Sequence, residues 1–144
     1  MKRILFVCTG NTCRSPMAEA IFNKIARERG LAAEAFSRGI AAPVGEGASG
    51  NAIEAAAELG CDLTAHAARQ LTREDVMKAD LIYTMSAAHA EAIKRAFPAE
   101  AEKVGAISDG PVPDPFGGDI DEYRACRDAL AAAAEKIADG LENA

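Results

Sequence analysis

A short loop between a predicted strand and a predicted helix constrains this chain more than any other feature. The apolar run Ile4–Val7 leads directly into residues 8–16, which read CTGNTCRSP, and a helical pattern then continues to Arg29. Inward-pointing backbone N–H groups in such a loop, together with the partial positive charge of a helix start, favour a bound anion. The same positive field favours the thiolate form of Cys8, so we expect its sulfur to be a nucleophile.

The composition of the loop suits a phosphate-type anion. Arg14 offers a planar fork for two oxygens. Gly10 and Asn11 tolerate the positive φ that inward-pointing amides require, while Ser15 is predicted to cap the helix and Pro16 to occupy its first position. The spacing excludes both a Walker-type loop and a dinucleotide-binding loop. An ordinary strand-to-helix turn with a buried cysteine is the alternative.

The remaining pattern alternates strands with helices, which indicates an α/β fold with a parallel sheet. We predict strands at 4–7, 34–37, 81–85 and 104–107, and helices at 16–29, 51–59, a short one from Thr72, one capped by Ser86 that ends near Phe97, and 121–141. The expected architecture has three layers, with helices on both faces of a four-stranded parallel sheet, as in flavodoxin-like and Rossmann-like folds. Ligands of such sheets lie beyond the carboxyl ends of the strands, where Cys8 stands.

The length and the net charge of the chain limit its domain organisation and its binding partners. A chain of 144 residues suggests a single domain over 1–144, and the net charge of −6 leaves no basic footprint for nucleic acid or anionic lipid. No apolar stretch has the length of a membrane span and no signal-like segment is present, so we expect a cytoplasmic protein. The sequence indicates no oligomeric state.

The four cysteines and two histidines are too scattered for a disulfide framework or a zinc site, so neither a metal nor a cofactor is expected. Cys61 and Cys126 are predicted to be small buried hydrophobic residues. Asp62 and Asp109 are interpreted as solvated surface charges.

Two motifs in order, the loop 8–16 and the triplet 114–116 (DPF), resemble the low molecular weight protein tyrosine phosphatases over nearly the whole chain. The resemblance implies that Cys8 attacks phosphorus to form a cysteinyl-phosphate, while Arg14 and the loop amides hold the equatorial oxygens. It also implies that Asp114, held stiffly between two prolines, is the general acid and then the general base. The implied partner is a phosphorylated protein.

The remaining predicted site residues surround the nucleophile. Ser15 can donate its hydroxyl to the thiolate, and by resemblance Ser37 and His66 brace Asn11 in a left-handed conformation. Alternatively, His66 is a lone histidine with no part in the site. Seven residues are predicted to contact the substrate: Thr9, Gly10, Asn11, Thr12, Cys13, Ser15 and Phe116.

The sequence leaves the roles of Cys13 and Arg38 open. Relatives of the family suggest that Cys8 and Cys13 pair under oxidation, whereas simple packing of Cys13 is the alternative. Arg38 departs from the family pattern and has no predicted role.

The substrate is predicted from Thr12, which stands where typical tyrosine-directed members carry a branched aliphatic residue. This pattern resembles the bacterial branch that acts on phosphoarginine in proteins, because a smaller, polar rim accommodates a guanidinium. Phe116 can stack on a phenol ring or on a guanidinium. We expect a protein-arginine phosphatase, with a tyrosine phosphatase as the alternative.

Two other classes are less favoured. A thiol-dependent arsenate reductase needs two further cysteines close together, but Cys61 and Cys126 are far apart in sequence. A module that only binds phosphate would suit a chain without the nucleophile or the acid, and both are present here.

Overall fold

The computed structural model describes residues 1–108 and 112–143, so the predicted surface charge at Asp109 lies outside the described residues. Strands and helices alternate along most of the chain. In order they are β1 (Lys2–Cys8), α1 (Arg14–Arg29), β2 (Ala33–Gly39), α2 (Gly50–Ala57), α3 (Arg73–Lys78), β3 (Leu81–Thr84), α4 (Ala87–Ala96), a 3₁₀ helix (Pro98–Lys103), β4 (Val104–Ala106) and α5 (Ile120–Glu142).

The four strands form one parallel sheet in the order β2-β1-β3-β4. Cys8 at the end of β1 pairs with Gly39 of β2, and Val7 pairs with Thr84 of β3. The chain leaves β1 toward β2 on one side and later returns to β3 on the other, so strand order reverses beside the end of β1. The predicted fold is confirmed, and the loop after Cys8 occupies the position where such sheets bind ligands.

The apolar run in β1 is buried on both faces of the sheet. Ile4 and Phe6 belong to the larger core cluster, which includes α1, α2 and α5. Leu5 and Val7 belong to a second cluster with residues of α3 and α4. Successive side chains of a strand point to opposite faces, so a strand covered by helices on both sides must be apolar throughout.

The start of α1 differs from the prediction. The helix begins at Arg14, its N-cap position is Cys13, and no side chain caps it, so the predictions of Ser15 as the cap and Pro16 as the first helical residue are wrong. The Ser15 hydroxyl is engaged inside the preceding loop instead, which leaves it unavailable for capping. Gly30 ends the helix as predicted, with a left-handed φ of 66°.

The predicted end of the second strand at position 37 is also wrong, because β2 continues to Gly39. A Cβ at Gly39 would lie 2.7 Å from the carbonyl oxygen of Thr9, so only glycine lets β2 run this close to the loop. Ser86 caps α4 as predicted, and Thr72, the predicted first residue of a short helix, is the N-cap of α3. Across 1–108 and 112–143, no helix combines the length and apolar character needed to cross a membrane.

Candidate active site

Residues of the loop after β1 surround a cavity of about 270 Å³ at the carboxyl edge of the sheet. Predicted residues from two distant segments meet there, because the loop preceding α5 contributes Asp114 and Phe116. Pro43 and Glu46, which no sequence pattern indicated, come from the loop between β2 and α2. The full lining is Cys8, Thr9, Gly10, Thr12, Cys13, Arg14, Pro43, Glu46, Asp114 and Phe116.

The sulfur of Cys8 lies among hydrogen-bond donors. The backbone N–H of Asn11 donates to Sγ at 3.2 Å, and the Ser15 hydroxyl oxygen lies 2.8 Å from Sγ. The start of α1 adds the partial positive charge of its unpaired N–H groups. Each of these contacts stabilises a negative sulfur more than a neutral one, so the site is built for a thiolate.

Asn11 holds the loop in shape from behind the cavity. Its φ is 57°, and no other non-glycine residue in the described part of the chain has a positive φ. The buried side-chain amide donates to Ser15 Oγ at 2.8 Å and Ser37 Oγ at 3.0 Å, and its oxygen accepts from the backbone N–H of Arg69 at 2.9 Å. His66 Nε2 lies 2.7 Å from the carbonyl oxygen of Asn11. Both predicted bracing residues therefore contact Asn11.

The hydrogen-bond chain behind the loop extends one residue further than predicted. The Ser37 hydroxyl donates to the Glu19 carboxylate at 2.7 Å, and burial raises the pKa of Glu19. Hydrogen bonds thus connect Glu19 through Ser37, Asn11 and Ser15 to the Cys8 sulfur. Asn11 and Ser15 do not line the cavity, so their contacts reach the loop and not the open space.

The backbone at Gly10 differs from that at Asn11, although both residues tolerate a positive φ. Asn11 takes the positive φ, whereas Gly10 is outside that region. A Cβ at Gly10 would meet only the Thr12 hydroxyl at 3.6 Å. The loop therefore has one left-handed residue, and its side chain stabilises that conformation.

Arg14 and Asp114 bring opposite charges to the cavity. The Arg14 guanidinium is buried, donates from Nη1 to the carbonyl oxygen of Val112 at 3.0 Å, and lies with Nη2 3.7 Å from Asp114 Oδ2. The Asp114 side chain is 53% exposed, and its Oδ1 accepts the backbone N–H of Phe116 at 3.1 Å. Arg14 is thus fixed at the base of the cavity, while Asp114 stands at its solvent-exposed mouth.

Cys13 has contacts that sequence reasoning missed. Its Sγ lies 3.4 Å from the Tyr123 hydroxyl of α5 and 3.5 Å from Ser49 Oγ, and these two hydroxyls lie 3.2 Å apart. Burial, followed by the hydrogen bond to Cys13, raises the pKa of Tyr123 to about 12. No local signal links these residues, because they are far apart in the chain.

His89 supports the rim of the loop and was also missed. Its Nε2 lies 3.0 Å from Thr9 Oγ1, and its Nδ1 lies 3.0 Å from Ser86 Oγ. Burial, and then the charge of Arg14, lower the pKa of His89. The imidazole links the loop to the beginning of α4.

Arg38, for which the sequence provided no role, has a structural one. Its Nε forms an ion pair with Asp75 Oδ2 at 3.0 Å, and its guanidinium lies 5.1 Å from the ring centroid of Phe36. Asp75 also belongs to the capping box of α3. The pair fastens β2 to α3 on the face of the sheet away from α1.

The other two cysteines are buried, as predicted. They line different clefts: Cys61 lies in one beside α1, and Cys126 in one with Pro113 and Pro115. Burial raises the pKa of both thiols, that of Cys126 to about 12. Asp62 is exposed, as predicted, and accepts hydrogen bonds from Thr64.

Comparison with known proteins identifies the family. Residues 3–144 match the low molecular weight phosphotyrosine protein phosphatase family. A protein-arginine-phosphatase of Bacillus subtilis is 41% identical over 145 residues, covering 96% of both chains. A low molecular weight protein-tyrosine-phosphatase of Streptomyces coelicolor is 38% identical, covering 91% of this chain and 88% of its own.

A solved structure extends the comparison to the site. The YwlE arginine phosphatase, in a mutant with a phosphorylated active-site serine, superimposes with a TM-score of 0.93 at 40% identity, covering 97% of this chain and 95% of that one. This chain is therefore a phosphoprotein phosphatase that belongs to the low molecular weight phosphotyrosine protein phosphatase family.

Proposed function

We propose that this chain, as a single domain over 1–144, removes the phosphoryl group from phosphorylated arginine side chains of proteins. Cys8 is the nucleophile, Arg14 binds the phosphoryl group, and Asp114 is the general acid and base. The observation that carries this proposal is the Cys8 sulfur among donors from Asn11 and Ser15, within one cavity shared with Arg14 and Asp114.

In the first step the Cys8 thiolate attacks phosphorus and an S–P bond forms. The P–N bond to the arginine breaks, and the departing nitrogen takes the proton of Asp114. Arg14 and the loop amides bind the three equatorial oxygens, whose charge they stabilise most in the transition state. The products are the free arginine side chain and a cysteinyl-phosphate.

In the second step water attacks the cysteinyl-phosphate. Asp114, now ionised, takes a proton from the water, and the S–P bond breaks to release inorganic phosphate. The Ser15 hydroxyl, 2.8 Å from the sulfur, stabilises the thiolate as it leaves. The phosphorylated serine in the YwlE structure supports phosphoryl transfer to the position that Cys8 occupies here.

Phosphoarginine is favoured over phosphotyrosine by the rim of the cavity. Thr12 provides a hydroxyl and a methyl group where an aliphatic wall would suit a phenol ring, and Glu46 adds an acidic residue to the lining besides the general acid Asp114. A guanidinium gains from these polar groups, whereas a phenyl ring does not. The Bacillus subtilis relative, named for the arginine reaction, supports the same assignment.

Phosphotyrosine is the second candidate, and Phe116 is the observation that favours it. Its ring is 72% exposed at the cavity, where it can pack on the ring of a phosphotyrosine. The proposed cytoplasmic location and the absence of a cofactor stay predictions.

The test compares kcat/KM on phosphoarginine and phosphotyrosine peptides of the same flanking sequence. We expect wild type to prefer phosphoarginine and Thr12→Ile to lower that kcat/KM by about tenfold. Thr12→Val, which keeps the shape and removes the hydroxyl, separates polarity from size, and Thr64→Val at an exposed position is the matched control.

Each result has a distinct meaning. If wild type ignores phosphoarginine and Thr12→Ile leaves the phosphotyrosine rate unchanged, the substrate assignment is wrong while the phosphatase assignment stands. If Cys8→Ser still releases inorganic phosphate at the wild-type rate, the nucleophile assignment is wrong. Arsenate reduction coupled to thioredoxin would point to the reductase class instead.

A further inference from the structure

Glu46 is a second carboxylate beside the phosphoryl site. It lines the cavity with Asp114, and its side chain is exposed and has no ion-pair partner among residues 1–108 and 112–143. The loop that carries it lies between β2 and α2. The reaction steps above make no use of it.

Backbone hydrogen bonds hold the residues around Glu46 close to the loop after β1, residues 8–14, which we call the phosphate-binding loop. The Glu46 N–H donates to the carbonyl oxygen of Pro43 at 3.0 Å, and its own carbonyl oxygen accepts from the N–H of Ala68 at 2.7 Å. The Gly45 N–H donates to the Ala68 carbonyl oxygen at 2.9 Å, in a turn where Gly45 has a φ of 92°. The next residue, Arg69, donates its N–H to the side-chain oxygen of Asn11. The segment of Ala68 and Arg69 therefore contacts both the loop that carries Glu46 and the loop after β1.

A free carboxylate in this place opposes the binding of any substrate that brings only negative charge. Phosphotyrosine is such a substrate, because its dianionic phosphoryl group is joined to a neutral ring. Phosphoarginine brings a planar guanidinium between the phosphoryl group and the peptide, and its remaining N–H groups are donors suited to a carboxylate. The charge of Glu46 therefore distinguishes these two substrates.

Asp114 cannot provide the same charge in the first step. As the general acid it must be protonated before the P–N bond breaks, and a protonated carboxyl is neutral. Among the described residues that line the cavity, Glu46 is then the remaining acidic residue.

We infer that Glu46 binds the guanidinium group of phosphoarginine at the mouth of the cavity and so determines the preference for this substrate. This inference rests on the proposed function. Because the carboxylate contacts the substrate away from the reacting phosphorus, it acts on binding and leaves the chemical step unchanged.

The test is Glu46→Gln, which removes the charge and nearly preserves the shape. With phosphoarginine and phosphotyrosine peptides of the same flanking sequence, we expect the phosphoarginine KM to rise about two- to fivefold, the upper part of the range for an exposed ion pair, with kcat unchanged. The phosphotyrosine KM stays the same or falls. Glu46→Lys, which reverses the charge, should raise the phosphoarginine KM further and lower the phosphotyrosine KM.

Glu34→Gln is the matched control, because Glu34 is an exposed carboxylate near the start of β2, at the opposite edge of the sheet. It removes the same net charge and leaves both KM values unchanged. Thermal unfolding of each variant verifies that the fold is retained.

The outcomes separate the inference from the proposed function. If wild type hydrolyses phosphoarginine and Glu46→Gln leaves the ratio of the two KM values at the wild-type level, the inference alone is overturned. If wild type hydrolyses phosphotyrosine only, the proposed function fails and the inference fails with it. A loss of kcat on both peptides in Glu46→Gln also overturns the inference, because it would show a role in chemistry or folding.

Discussion

Replacing Asn11 tests whether one side chain maintains the phosphate-binding loop. Asn11→Ala removes three side-chain hydrogen bonds, those with Ser15, Ser37 and the backbone N–H of Arg69. It also leaves a residue with a Cβ at a φ of 57° without the polar side chain that stabilises this conformation.

The magnitude follows from these contacts. A buried donor without an acceptor costs about 1–3 kcal/mol and each further lost hydrogen bond about 1 kcal/mol. The left-handed backbone adds about 1 kcal/mol for alanine. We expect Asn11→Ala to lower the free energy of unfolding by about 4–6 kcal/mol.

Asn11→Gly is the matched variant, because it loses the same hydrogen bonds and accepts the positive φ. It should be at most about 0.5 kcal/mol less destabilised than Asn11→Ala, because the extra chain entropy of glycine in the unfolded state offsets most of the left-handed penalty that it avoids. Urea unfolding measures both free energies, and single-turnover kinetics measure formation of the cysteinyl-phosphate. That rate should fall about a hundredfold in both variants, as for the loss of an oxyanion donor.

Two results would refute this reasoning. If Asn11→Ala and Asn11→Gly are both within about 1 kcal/mol of wild type, the side chain does not hold the loop. If both are destabilised as expected but form the cysteinyl-phosphate at the wild-type rate, the loop conformation is not what positions the donors to the sulfur and phosphate.

Three other perturbations test separate parts of the molecule. Arg38→Met should lower the free energy of unfolding by about 1–3 kcal/mol, because the buried Asp75 loses the nearer of its two ion-pair partners, and a matching fall in kcat would contradict a purely structural pair. Burial raises the pKa of Glu19 above its ordinary 4.5, so wild type loses stability as pH rises above that value. Glu19→Gln should therefore gain stability relative to wild type from pH 4.5 upward, and a difference in unfolding free energy that is constant with pH would refute this. Burial and Arg14 lower the pKa of His89, so wild type should lose stability relative to His89→Leu as pH falls below 6.5, and parallel melting curves at pH 7.5 and 5 would count against it.

The fold and the nucleophilic loop could be read from the sequence because both signals are local. The four strands and the helices follow from apolar periodicity, and the loop from Cys8 to Arg14 is contiguous, so its backbone amides and its arginine arrive together. Asp114 could be identified only through the family resemblance, since an Asp-Pro pair by itself indicates no more than a turn.

The wrong prediction of Ser15 as the cap of α1 shows the limit of reasoning from neighbouring residues in the sequence. A serine before a helical pattern is normally a cap, but here the Cys8 sulfur and the Asn11 amide occupy its hydroxyl. The sequence also left open which of Gly10 and Asn11 takes the positive φ. Asn11 alone takes that conformation, stabilised by partners from distant parts of the chain.

By itself, the sequence determined the order of strands and helices, the covered parallel sheet and the thiol at the end of β1, because these depend on neighbours a few positions away. Only the tertiary structure decided that Glu19 extends the hydrogen bonds behind Asn11, that Tyr123 contacts Cys13, and that Glu46 lines the cavity. These contacts join residues from separate segments, which become neighbours only when the strands align at one edge of the sheet. The physical reason is that a contact between distant segments depends on how the sheet and helices pack, and no local periodicity records that packing.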